Sequence, residues 1–179
     1  MYILGSLLIV AGIVAAYGAS VGYALVTRGR TAVLPYARAG VYSALAAVVA
    51  VVALLISLFL AGRYDIKYVN DYTSNDASLF FKVASIWAGQ PGSFVVWALW
   101  GVITGALLVR RTRHFEPYVL AVFMLIQGSL LVCMLVRNPF AANIDAATGA
   151  LLSPADGKGL NPLLHNFWMI IHPPILFWG

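Results

Sequence analysis

AGVYSALAAVVAVVALLISLFLAG, residues 39–62, runs for 24 residues without a charged side chain and decides the class of fold. About 18 apolar residues already suffice to cross the hydrocarbon core of a bilayer as a helix. Three more charge-free runs flank it at residues 1–27, 83–109 and 117–136. The chain is 62% hydrophobic and only 9% charged, with a mean hydropathy of +0.90, against roughly 25% charged residues in an ordinary globular domain. These runs predict an all-α polytopic membrane bundle of four complete spans, at about 2–26, 38–61, 92–109 and 117–136. A fifth span begins at Pro173 and is incomplete at 173–179, and the whole is one membrane domain, 1–179. No basic residue precedes Arg28, so the first span lacks the charged n-region of a secretory signal and reads as retained. Cys133, the one cysteine, falls deep in the fourth span and reads as a small apolar filler rather than a disulfide or metal ligand.

Charge sets the expected sidedness. The connections after the first and third spans carry six basic residues (Arg28, Arg30, Arg38, Arg110, Arg111, Arg113) against one acidic residue, Glu116. The other two hold five of each sign. The net charge of +5 therefore sits on one face, which the positive-inside rule makes cytoplasmic, and no nucleic-acid partner is called for. The N-terminus and the long loops 63–91 and 137–172 then face outward. Long connections are where function tends to reside. The first has a short helix expected near 78–88, and the second has turn signals over 138–162.

Two stretches in those outer loops stand out. WAGQPGSFVVW, residues 87–97, contains Gly89 and Gly92, which permit close backbone approach, and Ser93, a residue type suited to capping the third span. Further along the same span, Gly101 and Gly105 form a GxxxG pair of the kind that lets helices pack. In GLNPLLHNFWMIIHPPILFWG, residues 159–179, the pair Pro173–Pro174 fits the first turn of a helix. It also biases His172 away from the α conformation. His172 is then a hinge residue at an outer helix start, a posture suited to an axial ligand for haem iron. An interfacial histidine beside tryptophan explains the same spacing. Trp87, Trp97 and Trp168 could cover a porphyrin face, and they equally suit the bilayer boundary as amphipathic rings. His165, seven residues before His172, cannot ligate the same iron from a continuous helix, and His114 reads as a polar flank.

Taken in order, the two stretches resemble the CcmF family of cytochrome c-type biogenesis proteins, the haem lyases of bacterial cytochrome c maturation. That family shows W-x-G-x-x-G-S-x-x-x-W followed by N-P-L-L…H-P-P. The resemblance covers the chain from its first span to Gly179. It implies a protein of the bacterial inner membrane that receives haem b from a periplasmic haem chaperone and presents it for attachment to apocytochrome c. Other maturation subunits of the membrane, and lipid, are the further partners implied. His172 corresponds to an external axial ligand, Asn161, Pro162, Pro173 and Pro174 to positions shaping its elbow, and Trp87, Gly89, Gly92, Ser93 and Trp97 to the earlier motif. The chain departs from the pattern at Pro91, where an acidic residue is usual, and at His165, where a Gln-like residue is usual. The family's tryptophan-rich segment, second external histidine and structural haem b site lie downstream of the matching region. On this reading the chain is the N-terminal fragment of a haem-lyase-type synthetase component, with no catalytic residue of its own and no activity expected alone. The competing reading is a non-enzymatic membrane scaffold or transporter subunit.

Overall fold

The computed structural model describes residues 1–178, leaving out the side chains of Arg113 and Met169. Four long helices, α1 (Tyr2–Thr27), α2 (Leu34–Leu60), α5 (Gln90–Arg111) and α6 (Glu116–Val136), are each long and apolar enough to cross a membrane. They pack as a closed up-down-up-down ring in which α1 touches α2 and α6, and α5 touches the same two helices. Between them lie two short helices, α3 (Lys67–Tyr72) and α4 (Leu79–Ala84), and the chain ends on α7 (Phe167–Leu176). Gly179 lies outside the described residues.

Local chemistry sets the helix ends. Pro35, Pro91 and Pro117 occupy the first turns of α2, α5 and α6, where a missing N–H leaves no bond unmade. Pro91, the departure from the family pattern, is therefore a helix-start residue. The helices α1 and α2 end on Gly29 (φ 89°) and Gly62 (φ 61°), and the next N–H in each case reaches back five residues, Arg30 to Leu25 at 3.1 Å and Arg63 to Leu58 at 3.1 Å. That is the glycine-terminated helix end in which a left-handed residue satisfies the last carbonyls. The cap of α5 corrects the sequence expectation: Gly89 is the extended N-cap residue, and Ser93 lies one turn inside the helix. Its hydroxyl donates back at 3.2 Å to the Trp87 carbonyl, which lies ahead of the first backbone bond of the helix, from the Ser93 N–H to the Gly89 carbonyl.

Small residues line the α1–α2 interface, where a Cβ on Gly22 would meet Ala37 and one on Gly40 would meet Ala19 and the Ala15 carbonyl. In lipid, where apolar surface gains little by association, such close approach is the main source of packing energy. Gly101 and Gly105 face Gln127 and Phe123 of α6, as the GxxxG spacing suggests. Polar groups tie the ring further. Gln127 Nε2 donates to the Ala98 carbonyl at 3.0 Å, and the Ser20 hydroxyl to Ala121 at 2.6 Å. At the basic end, Arg38 forks onto buried Glu116 (Nε–Oε1 2.7 Å, Nη2–Oε2 2.6 Å) while the Tyr23 hydroxyl donates to Oε1 at 2.9 Å. One acidic residue thus joins α1, α2 and α6. Cys133 is exposed rather than buried, because it lies on the outer face of α6 and borders the α5–α6 groove.

The two long connections meet at the opposite end and form one layer. Backbone bonds from Lys67 to Ala141 (2.9 Å), Asn143 to Asp65 (2.7 Å), Lys158 to Asn70 (2.7 Å) and Gly159 to Thr73 (3.1 Å) stitch them together. Side chains add Asn75 Nδ2 to the Ala155 carbonyl at 3.0 Å and Lys158 to Asp71 at 2.7 Å. Among the described residues the only β pairing is two isolated antiparallel bridges, Ile66 with Ala142 and Ile144 with Leu151. Both carboxylates at the seams are held below the usual carboxylate range. Asp65 is lowered by bidentate hydrogen bonding from Arg63. At Asp71 burial pushes upward, and Lys158 and Lys67 outweigh it.

Candidate functional site

The site begins with a buried phenol. Tyr68 donates to the Ile86 carbonyl at 3.0 Å and accepts from the Gly89 N–H at 3.1 Å, so the turn between α4 and α5 is folded around it. Burial holds this phenol protonated, well above its ordinary pKa. Gly92 and Gly89 are small because a Cβ on Gly92 would strike the Ile86 carbonyl and the Tyr68 hydroxyl, and one on Gly89 would strike Tyr72. This turn fixes Trp87, whose indole points across to the C-terminal helix.

Helix α7 is built by capping upstream of the expected hinge. Asn161 accepts from the Leu163 N–H at 3.0 Å and opens a 3-10 turn, Pro162–Leu164, with the proline in its first position. Asn166 then accepts from the Trp168 N–H at 2.9 Å and starts α7 at Phe167. Asn is among the strongest N-caps, and it places the helix start six residues before Pro173. His172 therefore lies inside the helix, not at a hinge ahead of it, and Pro173 and Pro174 are interior residues.

Interior prolines cost on the order of 3 kcal/mol because each removes the N–H owed to the carbonyl four residues back. Pro174 leaves the Ile170 carbonyl without its donor, and the Trp87 indole fills that vacancy at 2.8 Å. At the other end, the Trp178 N–H turns to Ile175 at 3.2 Å instead of Pro174. The Trp100 indole donates to the Pro174 carbonyl at 3.0 Å. Rings reinforce both links: Trp100 stacks on Trp178 with centroids 4.3 Å apart, and Trp97 on Phe177 at 6.1 Å.

These contacts give α7 two faces. Ile170, Pro173, Pro174 and Phe177 turn toward α5 and are buried or half-buried. Trp168 (74% exposed), His172 and Ile175 turn away from the bundle. At 3.6 residues per turn, His172 lies about 160° around the helix from Ile170. Trp168 and His172, four apart, share one face as neighbouring side chains. Among the described residues no hydrogen bond engages the His172 imidazole. The structure thus brings Trp168 beside His172 and sets Trp87 and Trp97 on the opposite flank of α7.

His165 has gone elsewhere. It precedes α7, stacks on Phe81 with ring centroids 4.5 Å apart, and borders a cavity of about 380 Å³ with Asp76 and Ser78 in the outer layer. A second concavity, about 420 Å³, lies between α5 and α6 beneath Phe177 and Trp178 and is lined by Trp97, Trp100 and Gln127. Neither is lined by His172. Among the described residues, no cluster of three or more His, Cys, Asp or Glu side chains forms a metal site. Sequence reasoning missed Trp100 as a functional position, although its place one helical turn beyond Trp97, the residue that closes the earlier motif, was a signal.

No family model matches the chain, and no solved structure matches it. Among curated proteins it is 25% identical over 157 residues to the cytochrome c-type biogenesis protein CcmF of Haemophilus influenzae, covering 85% of this chain and 23% of that protein. It is 30% identical over 133 residues to the cytochrome c-type biogenesis protein NrfE of the same organism, covering 72% of this chain and 20% of the relative. Against CcmF of Pseudomonas aeruginosa the identity is 29% over 126 residues, 68% of this chain and 18% of that protein. The chain spans about a fifth of the length of the curated relatives it matches. With four membrane-length helices, the two motifs in order and this set of relatives, the chain belongs to the CcmF-type family of cytochrome c biogenesis proteins.

Proposed function

We propose that this chain acts in cytochrome c maturation as a haem-receiving surface, with His172 as an axial ligand presented on the outward face of α7. The observation that carries the reading is the arrangement of that helix. One face is anchored to α5, and the other offers an exposed, unengaged imidazole with an indole one turn away. The donor fits the group: a neutral imidazole nitrogen is a common haem ligand, and the Trp168 ring supplies an apolar stacking surface. Haem, once bound, contributes its own vinyl groups to thioether chemistry, and the chain's part is to hold and orient it.

The charge distribution supports a cytoplasmic basic end and a periplasmic outer layer. In a bacterial inner membrane, that layer faces a periplasmic haem chaperone as donor and apocytochrome c as acceptor, with other maturation subunits alongside. The test is a haem titration of the purified chain in lipid nanodiscs, followed by Soret absorbance. His172→Ala is expected to weaken binding at least tenfold, about 1.4 kcal/mol. Unchanged affinity would remove the ligand assignment and favour a scaffold.

A further inference from the structure

We infer that Trp87 and Trp100 are positioning residues for the His172 ligand, acting as hydrogen-bond braces on the proline helix rather than as a porphyrin platform. The inference deepens the reading of His172 as a haem ligand and rests on it.

Helix α7 carries two consecutive prolines immediately after the histidine, so two backbone donors are missing just where the ligand is mounted. A carbonyl left without its donor, in a membrane protein, must find another within the protein. Ile170, two residues before His172, finds the Trp87 indole at 2.8 Å. The Pro174 carbonyl, two residues after His172, is left free by the end of the helix rather than by a proline, since the Trp178 N–H turns to Ile175, and it accepts from the Trp100 indole at 3.0 Å. The two braces therefore bracket the ligand symmetrically along the chain, and both come from the same segment: the turn before α5 and the first three turns of that helix. Side chains at 170 and 174 share the anchored face, so fixing their carbonyls fixes the rotation of α7 about its axis. The direction of the His172 imidazole follows from that rotation.

The prolines have a use under this arrangement. In an unbroken helix the Ile170 carbonyl would be consumed by the N–H of residue 174 and could not accept from Trp87. Removing that N–H frees an acceptor for a donor from another element, turning a helix defect into a tertiary link. The turn around Tyr68, with its obligatory Gly89 and Gly92, is what carries Trp87 to the right height. The earlier motif and the histidine–proline motif are then halves of one device, one holding and one held.

The test uses the full chain in nanodiscs, with haem as the probe. Trp87→Phe and Trp100→Phe keep an aromatic ring and remove only the indole donor. Each is expected to weaken haem binding roughly fivefold, the worth of one neutral hydrogen bond, and to alter the low-spin ligand-field spectrum while thermal unfolding stays close to wild type. The decisive arm uses His172→Gly with saturating free imidazole. There the ligand is no longer tethered to α7, so adding Trp87→Phe should leave haem affinity unchanged. A loss of equal size in that background would show that the ring contacts haem or merely supports the fold, and would overturn the inference. Wild-type affinity and spectrum in both single variants, with His172→Ala still deficient, would overturn it and leave the ligand assignment standing. If His172→Ala binds haem normally, the ligand reading falls. Amide exchange of Ile170 to His172 and Ile175 to Phe177 then decides the brace: roughly fivefold faster exchange in Trp87→Phe supports it, and unchanged exchange refutes it.

Discussion

Adding one methyl group at Gly92 should do as much harm as a typical core truncation. A Cβ built there meets the Ile86 carbonyl and the Tyr68 hydroxyl, and the carbonyl belongs to a 3-10 turn pinned by that same phenol. Backbone cannot swing aside as a flexible side chain can, so the turn must open. Overpacking of a well-filled site costs about 1–3 kcal/mol. Breaking the Tyr68 bonds adds about 1–3 kcal/mol for buried groups left unpaired. We expect Gly92→Ala to lose about 3 kcal/mol or more. Two glycines calibrate the prediction. At Gly101 the added Cβ meets only the amide end of Gln127, which can rotate at the expense of its bond to Ala98, for about 1 kcal/mol. Gly18 lies exposed in α1 with nothing within 4 Å, and Ala there should be neutral or gain up to about 1 kcal/mol from helix propensity. Unfolding titrations in detergent micelles read all three, and Trp fluorescence should report displacement of Trp87 in Gly92→Ala alone. A Gly92→Ala protein within about 1 kcal/mol of wild type, or less affected than Gly101→Ala, would refute the reasoning.

Other outcomes follow from the charged and titrating groups. Arg38→Ala leaves the Glu116 carboxylate buried with only Tyr23 as partner and should cost about 3 kcal/mol. Adding Glu116→Gln should recover part of the loss, and strictly additive unfolding free energies would disprove the coupling. The outer layer should loosen in acid. Asp65 and Asp71 have folded pKa values below the ordinary carboxylate value, so their contribution is complete above about pH 4 and is lost as pH falls through the lower folded values. Protection of the Lys67, Asn143 and Lys158 amides against exchange reads this, and constant protection from pH 5 down to 2 would contradict it.

Much of the bundle was legible because apolar length is a local, additive signal. Residues 39–62 announce a span whatever packs beside them, and α2 closes over Leu34–Leu60 accordingly. Pairing of the two long connections at one end follows from alternation alone. Boundaries were less legible: Ser93 had the right chemistry for a cap, yet the helix starts three residues earlier, because Pro91 is already favoured in a first turn. The proline pair misled for the same reason in reverse. Prolines usually mark a helix start, and here Asn166 starts the helix while the Trp87 indole supplies the donor that Pro174 lacks.

From residues alone come the four membrane-length helices, the asymmetry of charge between the two ends, and the two motifs that carry the family likeness. Each depends on properties a residue has by itself or with near neighbours. Only the tertiary structure decides that Glu116 is buried between Tyr23 and Arg38, that Trp168 and His172 share an open face, and that Trp87 and Trp100 supply donors to α7. Those donors arrive from 83 and 74 residues away in the chain. Whether a proline breaks a helix or links it to its neighbour depends on what reaches the carbonyl it leaves free, and no local pattern records that.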